Sequence, residues 1–166
     1  MTRIVDSFIA ELEQEAATTR RILNVVPGDK LDWRPHPKSY SLGQLAFHIA
    51  STPGSVAGLL AEDTFDYGKV RKDEAKPFSE LLPELERSVK TAKDALDGYD
   101  DRKAMATWKL VRDGEEIMAA PRSAMVRAIM LNHWYHHRGQ LTVYLRMLDI
   151  PLPSVYGPSA DENPFA

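Results

Sequence analysis

The side chains best suited to chemistry in this sequence are its five histidines. The chain contains no cysteine, which excludes disulfide bonds, iron–sulfur clusters, thiolate zinc sites and cysteine nucleophiles. A metal site would therefore depend on histidine, aspartate and glutamate. The histidines are His36, His48, His133, His136 and His137, so three of the five fall within five consecutive residues.

His133 and His137 have the spacing that allows two imidazoles on one helix to bind the same ion. Residues i and i+4 lie about 40° apart around a helix axis and about 6 Å apart along it. On a helical wheel the core direction lies close to His137, so we expect His133 and His137 to point inward and His136 to lie at the flank. The stripe that sets this direction consists of Val126, Ile129, Met130, His137, Gln140, Tyr144, Met147 and Leu148.

A third histidine, His48, lies on an earlier predicted helix. The same face of that helix carries Ser41, Gln44, Thr52 and Ser55. Small polar residues around an inward histidine favour a hydrated cavity. Each imidazole has an alternative interpretation as a hydrogen-bonded core residue. Three converging imidazoles would instead form a site for zinc, nickel or iron, with an open position for a water whose pKa falls towards ~7.

Two common metalloprotein motifs are missing. The segment His133-Asn-Trp-Tyr-His137 lacks the glutamate of the H-E-x-x-H motif of metalloproteases. Di-iron carboxylate bundles typically have two helices that each carry Glu-x-x-His, and this sequence has no such pair. The pattern therefore predicts a three-histidine site of another kind.

Hydrophobic periodicity predicts four helices that would position the histidines. Pro53 is expected to kink or split the second of them, just after His48 and Ile49. The predicted helices cover residues 3–26, 41–60, 79–96 and 122–148.

The segments between the helices are of three kinds. Residues 107–118 predict two short strands about an Asp113-Gly114 turn, a β-hairpin placed before the last helix. Residues 62–77 are polar and predict a long exposed connection. The tail at 149–166 is rich in proline and is predicted to be extended.

Length and composition favour one domain over residues 1–166, and the four predicted helices make it an all-α four-helix bundle with this hairpin inserted. The chain of 166 residues is 43% hydrophobic and 27% charged, as in globular proteins. Its net charge of −3 argues against nucleic-acid binding. No signal peptide and no run of membrane-spanning length is visible. We therefore expect a soluble cytoplasmic protein.

Two segments resemble the signatures of the DinB-like family. They are Ser41-Leu-Gly-Gln-Leu-Ala-Phe-His48 and Asn132-His-Trp-Tyr-His-His-Arg-Gly-Gln-Leu141. The resemblance spans the whole chain in order. It implies a four-helix bundle with a long crossover, often dimeric, and metal ligands at His48, His133 and His137. Relatives include thiol S-transferases that use low-molecular-weight thiols such as mycothiol or bacillithiol, and a mycothiol-dependent isomerase.

Two functions follow from these observations as alternatives. The first is a metal-dependent transferase or hydrolase, in which a thiol or a water at the three histidines attacks a small-molecule electrophile. Gln44 and Gln140 would line its pocket and orient ligands or substrate, although each is also explained as a satisfied buried amide. The second is a non-catalytic metal-binding protein of the stress response, or an interaction protein.

A second apolar face on the last helix predicts a homodimer. This face lies away from the histidine stripe and needs a partner, either another helix of the bundle or a second subunit. Burial against the chain's own hairpin is the alternative to the dimer. On the same helix we expect Arg138 to be a solvated surface charge. The face consists of Leu131, Trp134, Tyr135 and Leu145.

Overall fold

The protein is a mostly helical bundle with a small sheet before its last helix, which confirms the predicted fold class. The computed structural model describes residues 2–70 and 76–166. A π-helical segment, Val126–Asn132, joins the last two helices, so these pieces form one long final helix. In chain order the elements are α1 (Ile4–Asn24), α2 (Leu42–Ala61), β1 (Thr64–Asp66), α3 (Leu81–Asp97), α4 (Asp101–Met105), β2 (Thr107–Arg112), β3 (Glu115–Pro121), α5 (Arg122–Met125) and α6 (His133–Met147).

Helix α2, which carries His48, begins where the sequence predicts. The Ser41 hydroxyl accepts a hydrogen bond from the Gln44 backbone N–H at 3.2 Å, and Gln44 Oε1 accepts one from the Ser41 N–H at 2.9 Å. This reciprocal pair satisfies two N–H groups that the first helical turn leaves without helical partners. The Gln44 side chain therefore stabilises the start of α2.

Pro53 does not split α2, which continues to Ala61. Instead, Ser88 of α3 enters the hydrogen-bond ladder of α2 beside the proline. Ser88 Oγ accepts from the Gly54 N–H at 2.7 Å and donates to the Ser51 carbonyl at 2.9 Å. A side chain from the neighbouring helix thus satisfies backbone groups at the interrupted turn, and α2 packs more extensively against α3 than against the other described elements.

Side chains from distant parts of the chain cap the carboxyl end of α2. The Trp108 indole N–H donates to the Leu59 carbonyl at 3.0 Å, and the Tyr99 hydroxyl donates to the Leu60 carbonyl at 3.0 Å. Arg122, which is buried, also donates to the Leu60 carbonyl at 3.1 Å. Because the last carbonyls of a helix lack partners within it, these bonds hold the sheet and the start of the final helix against α2.

The sheet has the order β1-β2-β3, and its β2–β3 hairpin confirms the predicted one. Asp113 and Gly114 both have positive φ, 52° and 84°, as a two-residue hairpin turn requires. The prediction of an exposed connection over 62–77 is wrong where β1 pairs in parallel with β2. The three residues of β1 are too few to show a periodicity in the sequence. They form a strand only because β2 lies beside them. Residues 71–75 of that connection lie outside the described residues.

The final helix buries a different stripe from the one predicted. Gln140 and Met147, both assigned to the core, are exposed. The last helix has two apolar faces, and the wheel took the face that includes His137 as the core side. The structure buries the other face, which carries Leu131, Trp134 and Leu145. The stripe that is buried consists of Val126, Met130, Leu131, Trp134, Arg138, Leu141 and Leu145.

The face predicted for a homodimer contact lies in the protein's own core. Leu131, Trp134 and Leu145 are each 0% exposed, and Tyr135 is half-buried against the same core. This face is therefore not available to a second subunit, and the predicted dimer has no support from it.

Arg138 is buried and not solvated. Its guanidinium forms an ion pair of 2.5 Å with Glu15 of α1, and it donates to the Thr19 hydroxyl at 3.0 Å. Its guanidinium carbon also lies 5.3 Å from the ring centroid of Tyr135 and 5.2 Å from that of Tyr156, a residue of the tail. A buried charge needs such partners, so Arg138 ties α1, α6 and the tail together.

None of the helices in the described part of the chain combines the length and the hydropathy needed to cross a bilayer.

Gly54 lies where α2 packs tightly against Ser88 of α3, and replacing it tests this contact. A Cβ at Gly54 would lie 2.9 Å from Ser88 Cα, whereas a Cβ at Gly58 would meet nothing within 4 Å. We expect Gly54→Ala to lower the free energy of unfolding by about 1–3 kcal/mol. Gly58→Ala on the same helix should raise it by up to about 1 kcal/mol. Urea denaturation of both variants checks the pair, and equal effects would contradict the contact.

Candidate metal centre

Three histidines from two helices meet at one point. His48 comes from the middle of α2, and His133 and His137 come from the first turn and a half of α6. One nitrogen from each ring lies within 4.8 Å of the other two. The Nε2 atoms of His48 and His133 are 2.9 Å apart. The ring planes stand 82–87° to one another, with centroids 4.4–5.1 Å apart. The structure therefore brings the three predicted residues together.

The donor set fits a divalent transition metal. Zinc bound by imidazole has metal–nitrogen distances of about 2.0–2.1 Å in a tetrahedral geometry, which puts ligand nitrogens roughly 3.4 Å apart. Here the Nε2 atoms of His48 and His133 are 2.9 Å apart, and no pair of the three ligand nitrogens is more than 4.8 Å apart, so small movements of the rings would reach that separation. Imidazole also suits nickel and iron. Among the described residues, no other group of three histidine, aspartate or glutamate side chains converges in this way.

Gln140 orients one of the three rings. His137 Nδ1 lies 2.7 Å from Gln140 Oε1, and because an amide oxygen can only accept, Nδ1 is the protonated nitrogen. Nε2 then carries the lone pair that a metal ion needs. Bonds of this kind hold a ligand histidine in the correct tautomer and orientation. Gln140 thus hydrogen-bonds a candidate metal ligand, whereas the Gln44 side chain caps the start of α2.

The environment keeps His137 neutral. Burial is the main cause that lowers the pKa of His137 to about 4; the neighbouring rings of His48, His133 and His136 also lower it, and the Gln140 hydrogen bond opposes them. Only the neutral imidazole is a metal ligand. At neutral pH the ring is therefore in the form that binds metal.

Trp134 fixes the two helices in register at the histidines. Pro53 has no N–H, so the carbonyl of Ile49 lacks its usual helical donor. The Trp134 indole N–H donates to that carbonyl at 2.8 Å, and the Trp134 side chain is fully buried. Ile49 follows His48, and Trp134 follows His133. One hydrogen bond thus joins α2 to α6 directly beside two of the candidate ligands.

The other two histidines are exposed, and one aromatic residue of the loop before α2 lies next to His48. His136 is exposed at the flank, as predicted, and His36 lies in the exposed loop before α2. The Tyr40 ring is 5.9 Å from the His48 ring. Trp33 packs edge-on against Tyr144 at 5.7 Å.

A half-open cavity of about 550 Å³ adjoins the histidines. His48 and His133 form part of its wall, together with the hydroxyl-bearing Ser51, Thr52 and Ser55 of α2. The sheet contributes Phe65, Trp108, Leu110 and Met118. Sequence reasoning missed these four, because their strands are short and nothing in the local pattern connects them with α2.

Comparison with known proteins points to one family. Residues 1–163 match the sequence profile of the DinB family. The protein YrdA of Bacillus subtilis (strain 168) is 23% identical over 164 residues, which cover 98% of this chain and 93% of YrdA.

Solved structures of DinB-like proteins have a similar fold. One from Bacillus cereus ATCC 10987 superposes with a TM-score of 0.69 at 21% identity, covering 92% of this chain and 97% of the other. The DinB-like protein YjoA of Bacillus subtilis superposes with a TM-score of 0.69 at 15% identity, covering 95% and 99%. At these identities the likeness concerns the fold.

Replacing Gln140 tests its action on His137. We expect Gln140→Leu to weaken Zn²⁺ binding about 10–100-fold, because His137 loses the acceptor that holds its ring. The side chain is exposed, so the free energy of unfolding should change by less than about 0.5 kcal/mol. Calorimetric titration with Zn²⁺ and urea denaturation measure the two effects.

Gln44→Leu is the matched control for that experiment. It makes the same side-chain change on α2 but breaks the capping pair with Ser41, which should lower stability by about 1 kcal/mol. Zn²⁺ affinity should stay unchanged. Equal losses of affinity in the two variants would rule out a special role for Gln140.

Trp134→Phe tests whether the bond to Ile49 positions the histidines. The change leaves a buried carbonyl without a partner, at a cost of about 1–3 kcal/mol in the free energy of unfolding. We expect Zn²⁺ affinity to fall about tenfold as well. Trp108→Phe is the control. Trp108 is also buried, and its indole N–H donates to the carboxyl end of α2, at the Leu59 carbonyl. A similar loss of affinity in both variants would show a general effect of stability.

Proposed function

This chain belongs to the DinB family, and we propose that it is a metal-dependent enzyme of the transferase or hydrolase class, acting on small molecules in the manner of a thiol S-transferase. Its ion, zinc, nickel or iron, would be held by His48, His133 and His137. The observation that carries the proposal is the convergence of these rings within 4.8 Å beside a cavity of about 550 Å³. Active sites are commonly cavities of this size with a few converging polar groups.

A divalent ion on three imidazoles would keep a position for a thiol or a water and would stabilise its deprotonated form near neutral pH. The protein's own residues supply the geometry. Gln140 holds the His137 ring, and Trp134 holds α6 against α2. Neutral protein ligands leave the positive charge of the ion undiminished, which favours an anionic nucleophile.

The α2 wall of the cavity supplies acceptors close to the histidines. Thr52 donates its hydroxyl proton to the His48 carbonyl at 2.5 Å, so its oxygen is oriented to accept a hydrogen bond from a ligand. Ser51 makes a longer bond of 3.3 Å to the same carbonyl. Ser55, one turn further on, is exposed on the cavity wall.

In the transferase reaction the sulfur of a thiol forms a bond to an electrophilic carbon, and the bond from that carbon to its leaving group breaks. The thiol proton passes to solvent, and the leaving group departs with the electron pair. In the hydrolase reaction a water oxygen takes the place of the sulfur. Both reactions need a nucleophile held next to a bound electrophile.

Metal content tests the site. Protein purified without a nickel column should contain close to one divalent ion per chain, or take one up when zinc, nickel or iron is added. His48→Ala should abolish this uptake, whereas His136→Ala, which removes the exposed flanking imidazole, should retain it. Elemental analysis of the three proteins gives the answer. A stoichiometry that stays near zero in the unaltered protein after addition of all three metals would refute the proposal.

Activity separates an enzyme from a protein that only binds metal. A panel of low-molecular-weight thiols with model aryl and alkyl halides should show turnover that depends on His48 and is unaffected by His36→Ala. Loading with metal but no His48-dependent turnover across thiols, esters and amides would favour a non-catalytic metal-binding protein.

A further inference from the structure

The cavity beside the histidines is enclosed mainly by apolar side chains. Val56 and Leu59 of α2 line it, together with Leu110 and Met118 of the hairpin. Ile129 of the π-helical segment closes a further side. Of these, Val56 is 7% exposed and Met118 is 37% exposed, so the lining runs from the core to the surface.

The polarity of the lining changes along α2. Next to His48 the helix presents hydroxyl groups, and further along it presents Val56 and Leu59. His48 and Leu59 are eleven residues apart, which corresponds to about 16 Å along a helix. The cavity is therefore elongated, with the histidines and hydroxyls at one end and an apolar region at the other.

Few charged groups face this space. Among the described lining residues there is no carboxylate, and Lys69 is the one lysine. A polyhydroxylated or highly charged molecule would leave most of its polar groups without partners along the apolar part of the wall, which is costly. An apolar body gains free energy in proportion to the surface that it buries there.

We propose that this cavity binds a substrate with an elongated apolar body, such as an alkyl or aryl chain, whose reactive end lies at the histidines. The placement of the reactive end rests on the proposed function. The binding of the apolar body rests only on the lining, and it is tested without metal.

The uncharged fluorophore N-phenyl-1-naphthylamine serves as the probe, with the full chain kept in EDTA. Its fluorescence should rise on binding to one site per chain. Straight-chain alcohols from hexanol to decanol should displace it, with an affinity that grows roughly threefold for each added methylene. Sorbitol should not displace it. Competition by sorbitol, or displacement that is independent of chain length, would overturn the proposal.

Variants place the probe in the cavity. Ser55→Trp fills the exposed wall of α2 and should weaken probe binding at least tenfold, while Gly58→Trp, on the same helix but not on the lining, should have no effect. Met118→Gln should weaken binding about threefold to tenfold. Met147→Gln, at an exposed methionine of α6 outside the lining, is its matched control. Equal effects within either pair would place the probe elsewhere and refute the assignment.

The two proposals fail separately. Chain-length-dependent displacement in a protein that takes up no metal would refute the metal-dependent function and leave the apolar site standing. Metal uptake without probe binding would refute the apolar site alone.

Discussion

The hydrogen bond from the Trp134 indole to the Ile49 carbonyl is the contact on which the candidate site depends. It exists because Pro53 removes the donor that a helix would otherwise offer to Ile49. A buried carbonyl without a partner is costly, so the free energy of the fold is lowest when the indole reaches it. The chain neighbours of these two residues, His48 and His133, are thereby brought together, with their Nε2 atoms 2.9 Å apart. The loss of the hydrogen bond that Pro53 removes from α2 thus sets the register between α2 and α6.

The rest of α2 shows the same principle. Its backbone groups at the proline are completed by Ser88 of α3, and its last carbonyls by Trp108, Tyr99 and Arg122. Each donor comes from a different part of the chain. Because the sheet is attached to the carboxyl end of α2 through Trp108, it faces the α2 surface that follows His48. The cavity is the space that this attachment leaves between helix and sheet.

Local patterns were sufficient for some features and not for others. The Asp113-Gly114 turn and the pairing of Ser41 with Gln44 depend on residues a few positions apart, and both are as predicted. The convergence of the three histidines could be predicted from the four-residue spacing of His133 and His137 and from the polar helix face around His48. Strand β1 was not predictable, since its three residues form a strand only beside β2. The burial of Arg138 was missed because its partner Glu15 lies 123 residues away in the sequence.

The histidines are accessible because the final helix buries a different face from the one that the sequence predicts. Had the face that carries His137 been buried, as predicted, the histidines would be enclosed among apolar side chains. The helix instead buries its other apolar face, so Trp134, Arg138 and Leu141 take the core positions. The histidines are displaced to the edge of the core, where His133 reaches the cavity and none of the three rings is fully buried. π-helical turns are often found at functional sites, and here the π-helical segment ends directly before His133 and contributes Ile129 to the cavity wall.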